Sequence, residues 1–408
     1  MLDETFQSTA LTTEGVATLA GNIQGEVLLP GDTNFEFTRR VQVATDDIPA
    51  LIIRAASVGD VVATVNFARE HHLELAVRSG GHSLAHYGTV DAGLVLDLAP
   101  LKAVEVDAAR QWARIQSGLT WEEVAQALQP HGLGLTSGDA PSVGVGGLLL
   151  GGGIGWFTRK YGLTIDRVRS IEVVTANGQI VTASATEHPD LFWAMRGGGG
   201  NFGVATSFEV NLHPAGMVYG GAIFHDARHA AEVLPAFVHY ATEAPDELTA
   251  TAILTKAPPM PFIPAQFHGQ PVLILAMIYS GDLEEGSRVV APLRALGTPL
   301  VDIVGPKPYP AIFELARDMA RKHQRLFGRS VLVERVDDAL VEALLAPGID
   351  MPKEGAMLQL RILGGAMKRV PADATAFALR NTEGMVFITA NGYDAEDAEQ
   401  HQAWVLRR

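Results

Sequence analysis

The stretch 141–168, PSVGVGGLLLGGGIGWFTRKYGLTIDRV, places seven glycines in the fourteen positions from Ser142 to Gly155. Glycine loses more backbone freedom on folding than any other residue, so such a run is unfavourable inside a regular helix or strand. Something must require it. The usual requirement is close approach of the backbone to a pyrophosphate or a ring, with unhindered N–H groups turned to the ligand. A glycine-rich crossover packed into a core would satisfy the same composition. Gly144-Val145-Gly146 opens a dinucleotide GxGxxG pattern, but Gly147-Leu148-Leu149 does not finish it. No Gly-Lys-Ser/Thr follows either, so the stretch is not a P-loop.

Two further glycine motifs flank it. Upstream, Arg78-Ser79-Gly80-Gly81-His82-Ser83 follows directly on the strand-like LELAVRS. Its glycines allow a nest of backbone N–H groups for phosphate oxygens, and Arg78 adds a positive charge. His82 then stands where it could touch a ring system anchored by that phosphate. The other reading is a tight turn carrying a surface histidine. Downstream, Arg196-Gly197-Gly198-Gly199-Gly200-Asn201-Phe202-Gly203 lies between the helix-like FWAMR and the strand-like VATSFEV. A cofactor-facing loop fits that place better than a flexible linker.

The surrounding pattern predicts an α+β fold. ALIIRA reads as a strand, Ser57 and Asp60 have capping-box spacing, and Val61, Val65 and Ala68 share a helical face before LELAVRS. Strand, helix, strand at this spacing predicts a parallel pair. GLVLDL, AVEVD and WARIQSG continue as strands, and Thr120 with Glu123 repeats the capping box. RSIEVVTANGQIVTASA predicts a hairpin about Asn177-Gly178, a pair favoured where both turn residues take positive φ. After Pro214 strands alternate with longer helices: VYGGAIFHD, PVLILAMIYSG, AMLQLRILGG and GMVFITANGY against ARHAAEVLPAFVHYATEA, LEEGSRVVAPLRALG and DDALVEALLAPG. This predicts an antiparallel sheet backed by helices, with the proline-rich KAPPMPFIPAQF as a surface loop. The expected units are an N-terminal segment 1–44, a cofactor domain 45–214, a substrate domain 215–390 and the start of a C-terminal segment 391–408.

Composition excludes several classes. With 408 residues, 47% hydrophobic and 19% charged, the chain is long enough for two domains and too apolar for general disorder. The net charge of -15, with no basic patch, argues against nucleic acid. Cysteine is absent, which removes disulfides, thiolate metal sites and cysteine nucleophiles. No HExxH occurs, His71 and His72 are adjacent, and glycines around His82 and His86 oppose the helix that would align them, so no bound metal is expected. GxSxG is absent. The first twenty residues lack a basic n-region and no apolar run is of spanning length, so no membrane association and a cytoplasmic location are expected.

RSGGHS, PSVGVGGLLLGGGIGWFTRKYGLTIDRV and HPDLFWAMRGGGGNFGV, in this order, resemble the berberine-bridge-enzyme-like branch of the vanillyl-alcohol-oxidase flavoprotein superfamily, and GAMKRVPADATAFALR resembles its second domain. The resemblance implies a PCMH-type FAD-binding domain of two α/β subdomains beside the substrate domain. It implies FAD held by His82 through the 8α-methyl group. Arg78, Ser79, Gly80, Gly81, His82 and Ser83 would wrap the pyrophosphate and ring edge. Gly138, Ser142, Val143, Gly144, Gly146, Gly147, Gly151, Gly152, Gly153 and Gly155 would pass near the diphosphate, with Tyr161, Gly162 and Asp166 beside them and Gly203 and Val204 on the far side. A second tether, a cysteine in some members, falls on Ala140, so a single histidyl bond is expected. The implied reaction is hydride transfer from a small organic substrate to flavin N5, then electrons to dioxygen to give hydrogen peroxide. A dehydrogenase with another acceptor, a sugar oxidase and a non-catalytic flavin scaffold are the alternatives. The Leu, Phe, Pro and Met content of the second half favours an aromatic or secondary-metabolite substrate. Members continue past the helix containing Trp404-Val405-Leu406-Arg407, so a further C-terminal segment is expected to be missing from this chain. Tyr393 and His323 are candidates for the catalytic base.

Overall fold

The computed structural model describes residues 12–317, 324–346, 351–352, 355–392 and 395–407. Strands β1 (Glu26–Leu28), β2 (Leu51–Arg54), β3 (Leu75–Arg78) and β4 (Leu94–Asp97) form a sheet in the order β1-β2-β4-β3. β2 and β3 both run parallel to β4. They share a direction, as the strand–helix–strand pattern predicts, but they are not neighbours, because β4 is inserted between them. Leu94, Val95 and Leu96 are fully buried, and a strand apolar on both faces takes the interior of a parallel sheet.

The helix Val58–Glu70 is capped as expected: Ser57 Oγ accepts from the Asp60 N–H at 3.2 Å and donates to Asp60 Oδ1 at 2.7 Å. The same carboxylate accepts N–H bonds from Gln24, Gly25 and Ala56 at 3.0, 2.9 and 2.8 Å. Burial pushes the Asp60 carboxyl up, but these bonds outweigh it and hold it below the usual carboxylate range. One side chain thus ties the chain at 24–25 to the helix start.

The next strands are β5 (Val104–Asp107), β6 (Trp112–Gln116), β7 (Leu133–Gly134), β8 (Val168–Val174), β9 (Ile180–Ser184), β10 (Val204–Asn211) and β11 (His213–Pro214). Five form an antiparallel sheet in the order β5-β6-β10-β8-β9, and β7 pairs with β11. The β8–β9 hairpin is present, but only Gly178 takes positive φ, at 77°. Asn177 stays at negative φ and its Oδ1 accepts from Thr175 Oγ1 at 2.5 Å. The Gly178 N–H bonds the Thr175 carbonyl and the Thr175 N–H bonds that of Gln179, so a turn followed by a glycine bulge joins the strands.

The remaining strands are β12 (Met217–Asp226), β13 (Leu248–Lys256), β14 (Pro271–Tyr279), β15 (Val301–Asp302), β16 (Gly305–Pro308), β17 (Arg325–Val333), β18 (Ala356–Ile362) and β19 (Gly384–Gly392). They form one antiparallel sheet in the order β15-β12-β14-β13-β18-β19-β17, with β16 also on β12. Period-two alternation divides its faces. Tyr219, Ile223, Leu275, Met277, Leu358 and Leu360 pack on Val233, Leu234, Phe237, Val290 and Leu293 of the helices Ala230–Glu243 and Leu283–Arg294. Ala222, Phe224, Thr251, Ile274, Gln359 and Arg361 face a large cavity instead. The fold is therefore α+β, with an antiparallel sheet backed by helices on one side and a site on the other. Among the described residues no helix is long and apolar enough to cross a membrane.

Candidate functional site

The RSGGH loop leaves the end of β3 and meets the glycine-rich stretch backbone to backbone. A Cβ on Gly80 would lie 2.3 Å from Gly144 N, and one on Gly144 would lie 2.1 Å from Gly80 N. No side chain fits at either position, so the crossing itself demands both glycines. Ser79 Oγ donates to the Ser117 carbonyl at 2.6 Å and accepts from the Gly146 N–H at 3.3 Å. His82 Nε2 lies 2.9 Å from Ser142 Oγ. The third motif joins at the end of the helix Val145–Gly151, where the N–H groups of Gly197 and Gly199 bond the Leu150 carbonyl at 2.9 and 3.0 Å.

Around this junction opens a cavity of ≈ 2350 Å³. That is more than twice the roughly 1,000 Å³ upper end of ordinary single-ligand pockets, and it has room for a dinucleotide together with a substrate. Arg78, Ser79, Gly80, Gly81, His82, Ser83, Val143, Gly144, Gly146, Gly147, Gly203 and Val204 all line it. At Gly147 and Gly200 nothing stands within 4 Å of where a Cβ would be, so bare backbone faces the space. Arg78 is not the free positive charge the sequence suggests. Its Nη2 is paired with Asp97 Oδ2 at 3.1 Å and both side chains are buried. Its Nη1 is buried without a partner, which leaves one donor for a ligand. Volume, bare glycine backbone and this orphaned donor fit FAD.

The other expected residues lie outside the lining. Gly138 abuts Leu148, Gly152 abuts Phe377, Gly153 abuts Thr164 and Gly155 abuts the Ser137 carbonyl, while Gly151 is exposed. Tyr161 stacks on His213 with centroids 3.8 Å apart. Gly162 packs on Asp166, whose Oδ2 accepts from Arg380 Nη1 and from the Leu163 N–H, each at 2.8 Å. His323 and Tyr393 lie outside the described residues.

The sheet face of the cavity holds residues the sequence reading passed over. Arg361, 1% exposed, reaches the Asp139 carboxylate with both terminal nitrogens, and its guanidinium lies 4.9 Å from the centroid of the Trp156 ring. Gln359 Nε2 donates to Thr251 Oγ1 at 3.0 Å. Asn391 Nδ2 donates to Gln324 Oε1 at 2.7 Å. The available signal was the spacing of Gln359 and Arg361, polar at i and i+2 in the otherwise apolar AMLQLRI. Lys307 also reaches the lining, and burial pulls its ammonium below the usual lysine range.

The FAD binding domain family matches residues 49–184. (R)-6-hydroxynicotine oxidase of Paenarthrobacter nicotinovorans is 32% identical over 365 residues, 86% of this chain and 77% of that protein. The solved 6-hydroxy-D-nicotine oxidase of Arthrobacter nicotinovorans superposes with a TM-score of 0.81 at 29% identity, covering 94% of this chain and 86% of that one. BBE-like 1 of Physcomitrella patens gives a TM-score of 0.84 over 96% of this chain and 87% of its own, at 21% identity, and so speaks for the fold alone. The chain belongs to the FAD-linked oxidoreductases that carry this FAD binding domain.

Proposed function

We propose that the protein is an FAD-dependent oxidase of a small organic substrate, with His82 holding the flavin through a single bond to its 8α-methyl group. The observation that carries this is the position of His82: it lines the cavity where the RSGGH loop crosses Gly144, with its Nε2 2.9 Å from Ser142 Oγ. When bound, FAD supplies hydride acceptance at N5 and electron transfer to dioxygen, with hydrogen peroxide as the product. The chain's own part is to hold and orient. The Ser142 hydroxyl holds His82 Nε2, residues 78–83, Val143, Gly144, Gly146 and Gly147 with Gly203 and Val204 present backbone to the cofactor, and Arg78 Nη1 offers it a donor. Residues 138, 152, 153, 155, 161, 162 and 166 support those loops from behind. Ala140 and the absence of cysteine leave no second tether. In this reading residues 45–214, with the segment 1–44, form the FAD domain and 215–390 close the substrate side.

The oxidase assignment, rather than a dehydrogenase, draws on the name of the relative that is 32% identical. Phe224, Met260, Phe262 and Ile274 in the lining suit an apolar or aromatic body. Acid precipitation followed by intact mass tests the tether: the pellet stays yellow and the mass rises by one FAD. His82→Ala releases the colour into the supernatant, and a covalent flavin surviving in that variant overturns the assignment. Oxygen uptake with peroxide release during turnover marks an oxidase, and flavin bleaching without uptake marks a dehydrogenase.

A further inference from the structure

The sheet face of the cavity has a definite hydrogen-bonding sense. Thr251 Oγ1 donates its only proton to the Leu360 carbonyl at 3.1 Å, so toward Gln359 it can only accept. The carboxamide is thereby fixed with Nε2 on Thr251, at 3.0 Å, and Oε1 is left as an acceptor on a residue that lines the cavity. Two positions along β18, on the same face and about 7 Å away, Arg361 directs both terminal nitrogens at Asp139. Both residues line the cavity, but the arginine is 1% exposed and the aspartate 27%, so the carboxylate is the more open of the two to it. Each carboxylate oxygen keeps a second lone-pair site after its bond to Arg361. Trp156, stacked on the guanidinium, blocks the other side. Beside these acceptors the same sheet offers Phe224, Ile274, Ala276 and Phe387. Lys256 and Lys307 also belong to the lining, but Lys256 ends β13, five residues beyond Thr251, and Lys307 sits on β16 against β12.

We infer that Asp139 and Gln359 select the substrate by accepting hydrogen bonds from it. The substrate class is an organic amine or alcohol on an apolar body, and a molecule that brings only a carboxylate is rejected. Arg361 and Thr251 are positioning residues that fix the two acceptors. The inference rests on the flavin oxidoreductase reading for the identity of the cavity. An acceptor wall discriminates strongly, because a buried acceptor facing another acceptor is left unpaired.

Isothermal titration calorimetry of the protein as purified, with benzylamine, benzyl alcohol and benzoate as probes, tests the wall. The amine and the alcohol bind the parent protein at least about tenfold more tightly than benzoate, since one lost charge-assisted bond suffices for that factor. Asp139→Asn uncovers the Arg361 charge and reverses the order: benzoate tightens at least about tenfold and benzylamine weakens. Equal affinity for benzoate and benzylamine in the parent, no binding of either donor probe, or an unchanged order in Asp139→Asn overturns the inference. Asp139→Asn leaves a buried arginine unpaired and can fail to fold. Thr251→Val then decides, because it frees the Gln359 amide to turn: benzyl alcohol weakens against benzoate, and an unchanged ratio overturns the inference. Calorimetry does not need the flavin, so a colourless protein sinks the cofactor reading while the wall is still tested.

Discussion

His213 shows how far one side chain departs from its solution chemistry here. Its ring stacks on Tyr161, meets Phe157 edge-on at 4.9 Å and is 2% exposed. Burial, aided by the charges of Arg167 and Lys160 and only partly opposed by the Pro214 carbonyl, lowers its pKa to about 3. The folded form keeps the ring neutral, whereas the unfolded chain takes up a proton as pH falls below 6.5. The unfolded state then binds more protons, so this contribution is intact above pH 6.5 and is lost as pH falls toward 3. At two pH units below the unfolded value the loss is about 3 kcal/mol. Urea unfolding of His213→Phe between pH 7 and pH 4.5 should show a fall in stability smaller than the parent's by about that amount, and an equal fall would mean that the ring is protonated in the folded state. Residues differ in how legible they are from sequence. His82 could be singled out because its glycines and the preceding strand are its immediate neighbours. Asp139 and Arg361 could not be paired, because 222 positions separate them and only the fold brings them together.

At the scale of elements, pattern identified strands well and neighbours less well. The helix caps at Ser57 and Thr120 formed as spaced, because a cap depends on three or four consecutive residues. The insertion of β4 between β2 and β3 depends on which strand is apolar on both faces, which no local pattern states. β13, LTATAILTK, alternates apolar residues with threonine and was legible though passed over, whereas in β17, RLFGRSVLV, glycine, arginine and serine break the alternation. The glycine loops allow a sharper test. Gly144→Ala forces a methyl onto Gly80 N and Ser79 Oγ, each 2.1 Å away, and backbone cannot yield cheaply. This variant should lose about 2 kcal/mol of stability along with its flavin. Gly147→Ala places its methyl in open cavity. Its flavin-free form should melt with the parent, while the ratio of flavin to protein absorbance falls. Equal behaviour of the two variants would show that the glycines serve one purpose.

At the scale of the molecule, side chains from residues 135–166 grip the large sheet and its connections. Arg380 holds Asp166, Arg361 holds Asp139, and the Tyr309 hydroxyl donates to the Leu135 carbonyl at 3.0 Å. Arg159 makes the most telling contact. It is 4% exposed, and its Nη1 and Nη2 donate to the carbonyls of Leu363 and Ala244 at 2.7 and 2.6 Å. Burial lowers its pKa, against the opposing pull of Asp246, yet the charge is bonded to carbonyl dipoles and not to a carboxylate. A planar fork suits two carbonyls arriving from separate segments, and an ammonium does not. Arg159→Met would leave both carbonyls unpaired, a loss of about 2–4 kcal/mol, and Arg159→Lys should recover less than half of it. Thermal unfolding followed by tryptophan fluorescence and by circular dichroism should give coincident transitions for the parent. In Arg159→Met the sheet, loosened from the glycine crossover, should melt first, so the two probes separate. If they stay coincident with an unshifted midpoint, the two halves are held by their shared apolar core, and Arg159 contributes little to the coupling that closes the cavity.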